Sequence, residues 1–309
     1  MADHAVPLEP VEPTASVSTR ASEGALGAHA AAFTEVSGTR KRLGWFFWAC
    51  LGWIGLTILL ALIAGLLPLP DPNNQTAVIN AGPSWSHLFG TDDLGRDLFS
   101  RVIYGARVSL VIGFGSVAIG LALGGTLGML AGYRQGVTDT VVNAASYVLL
   151  AFPALVAVIA ILAFWGNAEW KITLIIGFFT APVIFRIVRA ATLTYATRDF
   201  VTAAKAQGAG DLRVLGREIL PNILPTVVSF TLIAVATVVV LEGSLAFLGL
   251  SVAAPTASWG NMLNEGRTYL QTNIWITLWP ALAMFFFLLS LNLVGDRLRQ
   301  HYDVTDVKL

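Results

Sequence analysis

The chain has 309 residues, of which 12% are Asp, Glu, Lys or Arg and 55% belong to the apolar set AVILMFWYC. Soluble domains carry about twice that share of charge, so a water-soluble globule of this size could not cover its surface, and an all-α polytopic membrane protein remains. Nineteen basic residues balance nineteen acidic ones, which excludes a long-range pull on nucleic acid; the single cysteine, Cys50, excludes an intramolecular disulfide and a cysteine-based zinc cluster.

Residues 1–43 are rich in Pro, Ala, Ser, Thr, Glu and Gly and have little to bury, which predicts a disordered cytoplasmic tail. Six spans come after it. A helix needs about 20 mostly apolar residues to cross roughly 30 Å of hydrocarbon. Trp45 to Leu67 is uncharged for 23 residues, follows Arg40-Lys41-Arg42 and ends at Pro68-Leu69-Pro70. It is too long for a signal-peptide core and lacks a small-residue cleavage site, so it reads as a retained first span, and residues 44–104 comprise it and an extracytoplasmic loop. Val108 to Tyr133 predicts the second span, rich in glycine, with Gly120, Gly124 and Gly128 spaced for close helix packing. Thr140 to Ala168 predicts the third, kinked at Pro153.

Ile172 to Phe185 is only 14 uncharged residues and reaches full length if Arg186 and Arg189 snorkel at one end. Those two arginines read as end charges, with a substrate-ligand role as the alternative. Asn222 to Leu241 is the fifth span, continuing past Glu242, and Thr268 to Gly295 holds the sixth, leaving 297–309 as a C-terminal tail. With a cytoplasmic N-terminus, 14 of the basic residues fall on inside segments and five (Arg96, Arg101, Arg107, Lys171 and Arg267) outside. That asymmetry predicts both termini on the cytoplasmic side.

The most informative polar segment joins spans four and five, from Tyr195 to Pro221. Phe200 to Gln207 has good helix formers and stops at Gly208. Asp211 is placed to cap a second short helix with Leu212, Leu215 and Ile219 on one stripe and Arg213 and Arg217 on another, closed by Pro221. The small residues Ala203 and Ala204 would let a partner approach closely. The plain alternative is an ordinary inter-span loop with snorkelling basic residues.

This segment resembles the EAA loop of ABC-importer permeases: Glu-Ala-Ala, three residues, Gly, nine residues, Ile, one residue, Leu-Pro. Thr202-Ala203-Ala204 stands at the triplet, Gly208 at the glycine and Leu220-Pro221 at the end; Thr202 replaces Glu, Glu218 takes the Ile position and Ile219 is shifted by one. Phe89 to Leu110, Leu241 to Leu250 and Ser258 to Leu263 resemble further segments of the C-type permeases of dipeptide and oligopeptide importers. The similarity runs from about residue 44 to the C-terminus, in that family's order.

The resemblance implies a type I ABC-importer permease fold, with its core at 105–296 and its coupling loop at 195–221, in a prokaryotic plasma membrane. It implies pairing with a homologous second permease chain, two cytoplasmic ATPases and an extracytoplasmic peptide-binding protein. The coupling surface would comprise Thr202, Ala203, Ala204, Gly208, Arg213, Arg217, Leu220 and Pro221. The chain has no G-x-x-x-x-G-K-[ST] phosphate loop, so it is expected to bind no cofactor and catalyse nothing by itself, with ATP and Mg held by the partner ATPases. Dipeptides or oligopeptides are the expected cargo; nickel or another small solute is the alternative within the family.

Glu242 has two readings: a pathway or gate residue, or an acid near the outer membrane surface hydrogen-bonded to neighbouring spans. The cluster Thr91 to Asp97 is oxygen-rich but lacks the spacing of a calcium loop and carries Arg96. It reads as a capped turn feeding an interfacial helix, with Asp92, Asp93, Arg96 and Asp97, together with Trp259 and Asn261, as candidate docking residues for the binding protein. Trp45, Trp48, Trp275 and Trp279 read as membrane-interface anchors or packing residues. Two rival classes fit less well. An ion-coupled transporter would normally show several intramembrane acids, whereas only Glu242 qualifies, and an intramembrane serine protease would need a base, whereas all four histidines lie outside the spans.

Overall fold

A computed structural model describes residues 44–303; the predicted tail at 1–43 and the last six residues of the one at 297–309 lie outside the described residues, while 297–303 continue the last helix instead of starting a tail. The described chain is helical, without a named strand. Its helices are α1 (Trp45–Ile63), α2 (Leu98–Gly120), α3 (Thr126–Arg134), α4 (Gly136–Ala151), α5 (Ala154–Trp165), α6 (Glu169–Ala196), α7 (Asp199–Ala206), α8 (Asp211–Arg213), α9 (Leu220–Phe247), α10 (Trp259–Gly266) and α11 (Trp275–Asp303). Five continuous helices are long and apolar enough to span: Trp45–Leu66, Leu98–Arg134, Glu169–Ala196, Asp211–Phe247 and Trp275–Tyr302. The α4–α5 pair makes a sixth only if counted as one broken span, bent by 81°. The break falls at Phe152-Pro153, where both residues are extended. Proline lacks an N–H and its ring meets the preceding turn, so the expected kink is a full break.

The second, fourth and fifth spans outrun their uncharged runs. The second begins at Leu98, because Asp97 is extended and its carboxylate accepts the Ser100 amide hydrogen as an N-cap. At 1.5 Å per residue, the 37-residue helix Leu98–Arg134 is about 55 Å long, well beyond the hydrocarbon thickness. The fourth continues through both arginines to Ala196. The Arg189 guanidinium is paired with Asp139 in the first turn of α4.

The glycine spacing is explained by α6, which packs along α2 and α3. A Cβ added at Gly120 would meet Ile184, at Gly128 the Phe185 carbonyl oxygen at 2.8 Å, and at Gly132 Thr192 at 2.8 Å. At Gly124, inside the π-helical turn Leu121–Gly125, it would overlap the backbone of Ala181. Small residues here let the helix backbones touch, the usual means of tight packing where lipid supplies no hydrophobic drive. Trp45 and Trp48 are exposed, as anchors would be, whereas Trp279 stacks between Trp275 and Phe89, with ring centroids 5.6 and 4.2 Å away.

Candidate functional site

Two polar regions sit at opposite ends of the bundle. At one end, α7 to α9 build the elbow between the fourth and fifth spans. Helix α7 ends in a left-handed glycine: Gly208 has φ +85°, its amide donates to the Lys205 carbonyl at 2.9 Å, and the Ala209 amide donates to Ala204 at 3.0 Å. This paired bonding is a Schellman stop, and only glycine enters that backbone region without strain. Thr202, Ala203 and Gly208 are exposed and Ala204 is half-buried, while Val201 is fully buried and seats the helix.

The second half departs from expectation. Asp211 is not an N-cap: Gly210 holds that position, and the Asp211 carboxylate instead accepts the Tyr133 hydroxyl hydrogen at 3.0 Å and lies 3.5 Å from Arg134. Lys205 lies over the Tyr133 ring, 4.5 Å from its centroid. Leu215 and Ile219 are buried, whereas Leu212 turns outward and is 84% exposed. Pro221 does not close the segment either. A π-helical turn, Val214–Ile219, carries the chain without interruption into α9, and the proline sits in that helix's first turn, where a missing N–H is tolerated. Arg213, Arg217, Leu220 and Pro221 are all exposed. The elbow is thus continuous with α9 and clipped by side chains to the end of α3.

At the other end, an acid–base clamp joins the loop before α2 to α10. Asp92 accepts from the amides of Leu94 and Arg96 at 2.9 and 2.8 Å and from Arg96 Nε at 2.6 Å. Arg101, fully buried, donates to Glu265 at 2.8 Å and lies 3.4 Å from Asp92. Asp97 meets His87 Nδ1 at 2.9 Å. Tyr269 donates its hydroxyl hydrogen to Asp93 at 3.1 Å, and that carboxylate raises the phenol's pKa.

Glu242 lies deeper at this end, 1% exposed, accepting from Ser251 at 2.6 Å, Ser258 at 2.8 Å and Ser109 at 3.3 Å. It is enclosed by hydroxyls from α2, α9's own exit loop and the cap of α10. Ser258 also caps α10 through the Asn261 amide, and Ser109 accepts the Trp259 amide hydrogen at 3.2 Å.

The docking assignments therefore need correction. Asp92, Arg96, Asp97 and Trp259 are buried, at 1, 4, 5 and 1% exposure, so they shape a surface without forming it. Asn261 is half-buried, its amide donating to the Val252 carbonyl at 2.7 Å. Arg101, Glu265 and the three serines were missed because their partners lie far off in sequence; a buried arginine beside an N-cap carries no periodic signal. Among the described residues, no group of three or more His, Cys, Asp or Glu side chains is placed to hold a metal ion.

Comparison with known proteins adds a second line. The family model for "Binding-protein-dependent transport system inner membrane component" matches residues 124–304. A glutathione transport system permease protein, GsiD, from Pectobacterium atrosepticum is 38% identical over 231 residues, covering 75% of this chain and 76% of the relative. A dipeptide transport system permease protein, DppC, from Alkalihalophilus pseudofirmus is 36% identical over 251 residues, covering 80% and 81%. Among solved structures, an inward-facing MetNI methionine ABC transporter chain superposes with a TM-score of 0.53 at 21% identity, covering 66% of this chain and 97% of that one. That likeness shows the fold alone.

Proposed function

The chain belongs to the binding-protein-dependent transport system inner membrane components, and from that premise we propose that it forms half of a pathway importing short peptides, driven by ATPases docked at its elbow. The relatives are named for glutathione and dipeptides, both short peptides, which favours this cargo over nickel. The elbow end faces the cytoplasm in this reading, with both termini, since the basic residues from Arg186 to Arg217 gather towards it. The partners are a second permease chain, two ATPases carrying ATP and Mg, and an extracytoplasmic binding protein; this chain binds no cofactor of its own.

The observation that carries the proposal is the build of the elbow. An exposed, small-residue helix (Thr202, Ala203, Ala204, Gly208) stands beside the outward Leu212, Arg213 and Arg217, an apolar centre with a charged rim suited to a protein groove. The Schellman stop fixes the angle between α7 and α8. The unbroken passage into α9, together with the clip to Tyr133 and Arg134, means that displacing α7 displaces the second and fifth spans with it. ATP binding on the partners would thereby change the relative tilt of those spans and open the pathway to the other side.

The test is co-purification. The wild-type complex should retain the ATPases in detergent, and deleting Ala203 to Gly208 should release them while the second permease chain stays bound. Retention after deletion would refute the docking site. Unimpaired uptake of di- and oligopeptides in cells lacking this chain would refute the peptide cargo.

A further inference from the structure

We propose that Arg186 is a substrate ligand of the translocation pathway, binding the C-terminal carboxylate of the peptide as it passes; the inference rests on the peptide-import reading above. Arg186 lies in the Glu169–Ala196 helix, about 5 Å from its midpoint at 1.5 Å per residue. With the helix centred in the bilayer, that depth is inside the hydrocarbon thickness, where an exposed charge calls for a partner or a water-filled cavity. One turn further along, Arg189 has a carboxylate partner in Asp139. Arg186 has no such partner: it is exposed, and none of the ion pairs among the described residues includes it.

Instead it opens into a cavity of about 530 Å³ formed by α4, α6 and α9. The walls are mainly apolar, with Leu150, Val183 and Phe230, and the lining besides Arg186 includes Thr194, whose hydroxyl donates to the Ala190 carbonyl, and Thr226. A few convergent polar groups in an apolar hollow is the usual anatomy of a small-molecule site. The Tyr147 ring lies 5.9 Å from the guanidinium carbon, at the outer reach of a cation–π contact. A guanidinium presents two parallel N–H donors, and the ligand that matches them is a carboxylate. Every unblocked peptide carries one at its C-terminus, whatever its side chains. A site for that group would suit a pathway that accepts many sequences, leaving sequence preference to the binding protein. The α9 wall, with Thr226 and Phe230, is continuous with the elbow, so the site would change shape when the elbow moves.

The complete complex, with binding protein and ATPases, would be reconstituted in liposomes. Uptake of a dipeptide with a free carboxylate would be compared with uptake of its C-terminal amide, chosen so that the binding protein accepts both. The same binding protein serves wild type, Arg186→Gln and Arg186→Lys, so its own preference cancels between them. The free-acid to amide ratio should fall roughly tenfold in Arg186→Gln, equivalent to about 1.4 kcal/mol, and by less in Arg186→Lys. An unchanged ratio would overturn the assignment. So would equal loss of both peptides together with release of the second permease chain, which would make Arg186 a charge of that interface. If the wild-type complex imports neither peptide, peptide import itself fails, and the ligand assignment with it.

Discussion

Gly124→Ala adds one carbon at the tightest approach of two spanning helices. That carbon would overlap the carbonyl oxygen of Ala181 and lie 2.9 Å from the Phe185 amide nitrogen and 3.0 Å from the Ala181 carbonyl carbon. All three are backbone atoms of α6, so no side-chain rotation relieves the clash. To restore ordinary contacts of ~3.5 Å, above all to the Ala181 carbonyl oxygen, α6 must retreat by about an ångström or more, and the close contacts of Gly120, Gly128 and Gly132 loosen with it. Overpacking of this kind costs ~1–3 kcal/mol, and at the roughly 2–4 °C per kcal/mol of a chain of 150–250 residues the unfolding midpoint should fall by about 2–12 °C. Gly125→Ala, one residue on, meets nothing within 4 Å and should hold or raise the midpoint, because Ala is the better helix former by roughly 0.5–1 kcal/mol. Thermal unfolding in detergent, followed by tryptophan fluorescence, reads both. If Gly124→Ala melts within about 1 °C of the wild type, or Gly125→Ala falls as far, the packing argument is wrong.

Four further outcomes are expected. Glu242→Ala strands three buried serine hydroxyls and should cost ~2–3 kcal/mol, with Glu242→Gln clearly milder; equal unfolding midpoints for the two would count against the hydroxyl cage. Glu265→Gln leaves Arg101 buried with a weakened partner and should cost about 3 kcal/mol, read as a lower unfolding midpoint in the same assay. Asp211→Ala removes an exposed clip, so stability should change by less than ~1 kcal/mol, yet substrate transported per ATP hydrolysed by the complex should fall several-fold. The raised pKa of Tyr269 gives a pH dependence. A group whose folded pKa is raised stabilises fully below its unfolded value, near 10, and loses that stabilisation as pH rises through the folded value. The difference in midpoint between wild type and Tyr269→Phe should therefore stay level up to about pH 10 and shrink above it.

What the sequence disclosed depends on which forces leave periodic traces. The uncharged run marked the first span to within a residue, because hydrocarbon excludes charge over a fixed length, whereas the sixth lies about seven residues further along than its run, at Trp275–Tyr302. The glycines at four-residue spacing announced a close helix contact without naming the partner, since α6 meets them with backbone atoms of Ala181 and Phe185. Gly208 showed its turn because only one backbone geometry there favours glycine. The start of the second span was hidden: Arg101 and Arg107 interrupt the hydropathy, while the cap at Asp97 and the counter-charges at Asp92 and Glu265 that make the burial tolerable lie in other segments. Leu212 misled for a different reason. A stripe drawn at helical spacing gives no sign that the short α8 precedes a wider π-helical turn, and that leucine faces outward. Glu242 stood out as an acid at a span end, open between a gate and a hydrogen-bonded residue, because its three serines are 9, 16 and 133 residues away.

The unbroken helix from Asp211 to Phe247 joins those two regions mechanically. Over 37 residues it is about 55 Å long, with Asp211 near one tip and Glu242 near the other. A tilt of ten degrees about its centre carries each tip roughly 5 Å, in opposite directions. Both tips are gripped, one by Tyr133 and Arg134 and the other by Ser109, Ser251 and Ser258. A push on the elbow therefore works as on a see-saw whose far seat is bolted to the cap of α10. Either the serine cage travels with Glu242 and takes α10 along, or one of its three hydrogen bonds becomes the latch that sets how far the helix can swing.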